Sequence, residues 1–469
     1  MLCAALLSSF SVQAAQQFVH FHQGDVLLNP GNRVEIYMDA NDCRGVSYAV
    51  QALIKDFRQV SGCQATLTSQ YGSTHGKNSQ PGILVGTLGH SAAIDQLVRQ
   101  KRIDARQLKG KREKFIITLV DHQLVIAGSD RRGTIYGIYE LSQQMGVSPW
   151  YDWADVPVEH HDSIFVNRGI YTDGEPAVRY RGIFLNDEAP CLTSWVKNTY
   201  GTEYGDHRFY QRVFELVLRL RGNMMWPAMW GWAFYADDPE NEKTADEMGV
   251  VMSTSHHEPM ARNHQEYARN RKGWGPWNYQ KNKANLQKFF REGIERMKGT
   301  EQIVTIGMRG DGDEAMSEEA DTKLMTNIIN DQRKIIADVT GRKASETPQV
   351  WALYKEVLDY YDKGMKVPDD VTLLLCEVSG CLQRNLYQFT TLAHGLLREA
   401  QDVTHLRGED GECDTCRKTD DDGVGDELDD GTHLAQAQGY QHYAGQDGGH
   451  DEALDAIGIL VHDSIAFLI

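Results

Sequence analysis

No apolar run in this chain approaches the ~20 residues that a helix needs to cross a bilayer, which excludes a helical membrane protein and leaves a soluble globular one. Cysteine is scarce, at 8 in 469 residues, too few for a disulfide framework at this length. Cys43 and Cys63 either pair after export or remain core thiols, and Cys413-Asp-Thr-Cys416 has neither a second pair nor a strand–helix context. Basic excess is absent too. The formal charge of −18 disfavours nucleic acid or an anionic membrane as partner. That charge is unevenly placed, because residues 401–469 hold 17 acidic and 3 basic side chains, leaving the first 400 near neutral. Tryptophan is lacking after Trp351 and proline after Pro368, so the chain changes character near its last hundred residues.

What the chain has is a recurring ending. The apolar run Ile183-Phe184-Leu185 stops at Asn186, Asp187 and Glu188. Gly249–Met252 leads to His256, His257 and Glu258, and Ile303–Met308 leads to Arg309, Asp311, Asp313 and Glu314. Val350–Leu353 leads to Tyr354, Lys355 and Glu356, and Val371–Cys376 leads to Glu377. Buried strands that end in clustered polar groups are the sequence form of the catalytic mouth of a (β/α)8 barrel. Five such endings in one chain point to one site.

The spacing divides the chain into four parts. Residues 1–15 resemble a signal peptide with Val12-Gln13-Ala14 as cleavage site, although no basic n-region precedes the apolar stretch; this predicts a secreted or periplasmic protein. Residues 18–165 alternate strands and helices: strand 34–38, helix 46–60, strand 82–85, a hairpin of 115–119 and 123–127 about Asp121-His122, and helix 134–145 ending at Gly146. This is a small α/β accessory domain. Residues 176–377 predict six of eight barrel strands, near 181–186, 223–229, 249–253, 303–308, 349–353 and 371–376, with helices 207–221, 282–298 and 318–338. Residues 378–469, with Asp420–Asp430 and the Gly-rich Gln441–His450, read as an acidic, disordered tail, or as the end of a frame-shifted or chimeric chain. The fold class expected is α/β: an accessory domain, then an incomplete TIM-type barrel.

The runs Gly128–Ser142 and Trp150–Asp155 resemble the accessory domain that precedes the barrel in several glycosidases. With Arg181–Glu188, Met224–Trp230, Ile306–Glu314 and Trp351–Glu356, the chain resembles glycoside hydrolase family 115 over roughly residues 20–377. That resemblance implies an inverting xylan α-1,2-glucuronidase, which removes (4-O-methyl)glucuronic acid from glucuronoxylan or its oligosaccharides without cofactor or metal, and it allows a homodimer. The family's last strand here runs on to Val378-Ser379-Gly380-Cys381 instead of an Asp-Asn-Trp-Gly-Asn-like loop. The rival expectation is therefore an inactive, truncated glucuronidase-like protein with at most weak carbohydrate binding. A third reading, a substrate-assisted N-acetylhexosaminidase, is disfavoured by Arg309 beside Asp313.

Inversion needs an acid to protonate the leaving oxygen and a carboxylate to activate water from the opposite face. The resemblance places catalytic residues at Glu356, Asp313 and Asp187. Glu356 is assigned as acid and Asp313 as base, with Asp187 on sugar hydroxyls or the water. An anionic uronate calls for a guanidinium partner, and Arg309 is the candidate. Asn186, Asp311, Trp230, His256 and His257 complete the expected sugar-binding set, with Trp226 as a second candidate platform. Plain alternatives stand beside these: Asp187 as a helix cap, Asp311 and Glu314 as partners of Arg309 or solvated groups, and the tryptophans as core. A metal at the paired histidines lacks an assigned third ligand.

Overall fold

The computed structural model describes residues 17–69, 81–185, 190–316, 321–375 and 466–468. The expectations for the signal peptide, for Asn186, Asp187, Glu188 and Glu377, and for nearly all of the acidic tail fall outside these residues.

The first half builds one mixed sheet of six strands, in the order Gln64–Thr68, Arg33–Met38, Ile83–Thr87, Gln123–Gly128, Phe115–Val120, Ile170–Tyr171. The first four strands are parallel neighbours, whereas Phe115–Val120 runs antiparallel on both sides. Strand alternation sends side chains to both faces, and both faces are buried. One carries Ile36, Val85 and Ile126 against Leu53 and Phe57 of the helix Arg44–Ser61 and Ile135 and Ile138 of the helix Arg131–Gln144. The other carries Leu84, Ile116 and Val125 against Ile94 and Leu97 of the helix Ala92–Arg99. The hairpin turn holds Asp121 at φ 57°, the left-handed conformation that a tight hairpin requires. Cys43 and Cys63 are free thiols.

The second half supplies all six expected strands in chain order. Arg181–Phe184 pairs in parallel with Met224–Trp226, which pairs in parallel with Val251–Met252. A parallel bridge from Met252 to Gln302 carries the order on to Val304–Thr305, Gln349–Leu353 and Thr372–Leu375. The helices His207–Arg219, Glu240–Met248, Tyr279–Arg296, Thr322–Thr340 and Glu356–Asp362 lie between successive strands. On the outer edge Ala466–Leu468 runs antiparallel to Arg181–Phe184. A strand in the last residues was not expected from an acidic, aperiodic tail.

Most of these strands are shorter than the apolar runs imply, and for two of them the cause is plain. Met224–Trp226 stops at Pro227, which has no N–H for the ladder. Val304–Thr305 stops before Gly307, which sits at φ 95°. There the carboxamide of Gln332, fully buried, accepts from Gly307 N at 2.8 Å and donates to Gly307 O at 2.7 Å, so a helix side chain replaces the neighbouring strand.

Charged side chains tie the sheet to the start of the barrel. Glu113 is fully buried and accepts from Arg132, Arg181 and Asn223, each at 2.7 Å. Asp56 and Arg219 form a second buried pair at 3.0 Å. Buried charge persists only when paired in this way. No helix of the described residues is long and apolar enough to cross a membrane.

Candidate active site

The residues that follow two successive barrel strands, Val304–Thr305 and Gln349–Leu353, meet at one guanidinium. Arg309, only 2% exposed, donates from Nε to Glu356 Oε1 at 2.9 Å and from Nη2 to Glu356 Oε2 at 2.6 Å. Its Nη1 donates to Asp313 Oδ1. The fork thus holds Glu356 on one edge and Asp313 on another, the planar two-carboxylate geometry that arginine provides and lysine does not. Behind it, Arg309 O accepts from Trp277 Nε1 at 3.0 Å, and the ring of Tyr354 lies 5.3 Å from the guanidinium carbon.

Backbone conformation sets these side chains. Asp313 closes a single turn, Asp311–Asp313, at φ 67°. Lys355, immediately before the helix Glu356–Asp362, sits at φ 51°. Non-glycine residues adopt this region at a cost, and such strain gathers at functional sites. Here it falls on one candidate carboxylate and on the residue preceding the other.

Asp313 is 8% exposed and ringed by donors. His256 Nε2 lies 2.9 Å from its Oδ1, His257 Nδ1 lies 3.8 Å from the same atom, and Lys355 Nζ is 3.6 Å from Oδ2. Burial drives the His256 pKa down to about 3, with Arg309 and Lys355 adding to the fall. His257 is pushed well below its usual value by burial and then by the neighbouring histidines. Both imidazoles are therefore neutral at ordinary pH, and His256 donates its Nε2 hydrogen to Asp313. His257 stacks on Trp230 at 5.3 Å. Trp230 is 43% exposed, whereas Trp226 is 1% exposed and edge-on to Phe184. Trp226 is thus core, and Trp230 is the solvent-exposed ring of this pair.

Arg309 differs from its expected use as a free uronate clamp, since two protein carboxylates already engage its fork. Asp311 does not pair with Arg309 either. It bonds Arg271, with Nη2–Oδ1 at 2.7 Å, and His264, with Nε2–Oδ1 at 3.2 Å; the Arg271 contact holds the Asp311 pKa below its usual value. Glu314 is exposed. Asp187 and Asn186 fall outside the described residues. The sequence had marked Tyr354, Lys355 and Glu258 only as strand-end residues. Glu258 is fully buried; it accepts from His264 N at 2.9 Å, and burial pushes its pKa up to about 8.

His256, His257 and Asp313 also place ligand-type atoms within 4.8 Å of one another, supplying the third group that spacing alone left unassigned. The surroundings oppose a divalent ion, because Arg309 and Lys355 already face the one carboxylate in that trio.

Residues 173–392 match the family model for glycosyl hydrolase family 115. The chain belongs to that family. The match runs past residue 378, where the sequence was expected to depart. Among solved structures, a family GH115 4-O-methyl-α-glucuronidase, BtGH115A, with specificity for decorated arabinogalactans, is 34% identical at a TM-score of 0.66, over 74% of this chain and 46% of that one. The chain therefore spans under half the length of this relative. Flavobacterium johnsoniae chitobiase follows at 10% identity and a TM-score of 0.45, over 76% of this chain and 53% of the other. No curated protein matches the chain.

Proposed function

We propose that this family 115 chain is an inverting glycosidase that removes α-linked (4-O-methyl)glucuronic acid from a decorated polysaccharide. The observation carrying this reading is the Arg309 fork, which holds Asp313 and Glu356 on separate edges at the strand ends. Two carboxylates held on separate edges of one side chain supply the acid and base pair that glycoside hydrolysis needs. Asp313, held by His256, Lys355 and Arg309, acts as the base. Glu356, at 18% the more exposed of the two, acts as the acid. Arrival of the substrate's own carboxylate competes for Arg309, loosening its hold on Glu356 so that this carboxyl can turn a proton toward the leaving oxygen. Asp187 remains the proposed third member of the set. Trp230 stacks on the sugar face.

Glucuronoxylan is the proposed substrate, and decorated arabinogalactan is the second reading because the similar glucuronidase acts on it. The test is NMR of the purified chain with each polymer. First release of β-glucuronic acid from an α-linkage establishes inversion and names the polymer. First release of the α-anomer refutes inversion, and folded protein that releases nothing from either polymer refutes the activity.

A further inference from the structure

Beside the carboxylate cluster lies a groove of about 1240 Å3 whose wall is basic, with Arg262, Arg269, Arg271, Lys272 and Lys288 against Glu266 as the single acidic residue. It joins the cluster through Arg271, which bonds Asp311, two residues before Asp313. Three of the cations are committed within the protein: Arg262 to Glu266 and Glu292, Arg269 to Asp237, and Arg271 to Asp311. Lys272 and Lys288 are exposed and have no ion pair or hydrogen bond among the described residues. Between them stands Trp274, half-buried, backed by Tyr267 at 6.2 Å and Phe289 at 5.3 Å, with Lys288 Nζ 5.6 Å over its ring. An aromatic plate flanked by two unpaired ammonium groups offers an apolar surface for a pyranose and a counter-charge for a carboxylate on it.

We propose that this groove binds a second uronate-bearing stretch of the polysaccharide while the sugar to be released sits at Asp313 and Glu356, so that the protein prefers densely decorated, polyanionic chains. This rests on the glucuronidase reading for the occupant of the cluster, but not for the groove's own charge preference.

The test compares binding, by calorimetry, of three xylo-oligosaccharides of equal length: one carrying two glucuronates, one carrying one, and the first with its carboxyls reduced to alcohols. The full chain is expected to bind the doubly charged sugar roughly tenfold tighter than the singly charged one, the effect of two exposed charge contacts. That gap should close in high salt, which screens exposed charges, and should vanish in Lys272→Gln/Lys288→Gln with its melting temperature unchanged. An equal affinity for all three sugars, a gap that survives high salt, or a gap that persists in the double variant overturns the proposal. If the chain releases no glucuronic acid yet shows the gap, the activity fails and the groove stands. If it releases glucuronic acid without the gap, the activity stands and the groove fails.

Discussion

Replacing Arg309 by lysine separates charge from geometry at the site. The guanidinium makes three hydrogen bonds to two carboxylates. An ammonium keeps the positive charge but is a point, and it cannot hold both edges at once. Loss of two charge-assisted bonds costs about 1.5–3 kcal/mol each when the acceptor stays buried. Part of this returns because the lysine charge remains and Glu356 is 18% open to water, leaving a net loss of about 2–4 kcal/mol. Turnover suffers more than stability, since misplacing a reacting group by about 1 Å costs on the order of 10²-fold. We expect Arg309→Lys to lower the melting temperature by several degrees and kcat by at least ~100-fold, read by calorimetry and by released glucuronic acid. Arg309→Met, which takes the guanidinium from half-buried Glu356 and leaves buried Asp313 facing the Lys355 ammonium, should cost about 3–5 kcal/mol. An Arg309→Lys protein with wild-type kcat would refute the claim that the fork positions both groups.

Other substitutions address single parts of the argument. Glu356→Gln and Asp313→Asn should each lower kcat by about 10²–10⁴-fold, the range for loss of an acid or base, and a kcat within threefold of wild type would remove that residue from the proposed pair. Gly307→Ala places a Cβ 2.4 Å from Trp351 Nε1 on a backbone at φ 95°, so chemical denaturation should show a loss of at least about 1–3 kcal/mol; an unchanged midpoint would mean that the strand end relaxes. Trp230→Ala should raise KM with little change in the melting temperature, because its ring is exposed and stacks on His257 at the rim of the cluster. A fall in stability with KM unchanged would make it a packing residue.

The barrel strands were legible because each is an apolar run closed by polar residues, and burial on both faces demands such runs. Their true ends were less legible. Val304–Thr305 stops short of Met308 because Gln332, from a helix 25 residues later, takes Gly307's backbone groups, and no local pattern encodes that partner. The residues of the site were legible as types at strand ends, but their bonds were not. Arg309 reaches Glu356 across 47 residues of sequence, and its fork could serve a ligand or a protein carboxylate equally well until the fold chooses. Trp226 and Trp230 belong to one motif and look alike in sequence. The first lies in register with Phe184 inside the sheet, and the second lies beyond Pro227 and outside it. The basic groove was missed because the short cluster Arg269, Arg271 and Lys272 gains Arg262 and Lys288 only through the fold, from the loop before it and from a later helix.

The buried titratable groups of the site pull stability in opposite directions with pH, and this supplies a last test. His256 has its pKa lowered from 6.5 to about 3, chiefly by burial, and His257 and His264 are lowered for the same leading reason. Below pH 6.5 the unfolded chain takes up protons that the folded site refuses, so these groups withdraw stability as pH falls, by about 1.4 kcal/mol per pH unit for each histidine still neutral in the fold. Glu258 works the other way. Burial raises its pKa from 4.5 to about 8, so its stability is fully present below pH 4.5 and is lost as pH rises toward 8. Between pH 4.5 and 6.5 the Glu258 slope cancels one histidine. Glu258→Gln removes that cancellation while keeping the shape of the side chain. The variant should therefore lose stability more steeply than wild type as pH falls through this interval and should gain on wild type above pH 6.5. His256→Gln should flatten the acid side by one proton's worth. Denaturant midpoints from pH 4.5 to 8 decide the matter, and parallel curves for wild type and Glu258→Gln would mean that Glu258 is ionised in the folded protein and that its burial leaves it enough solvation to stay so.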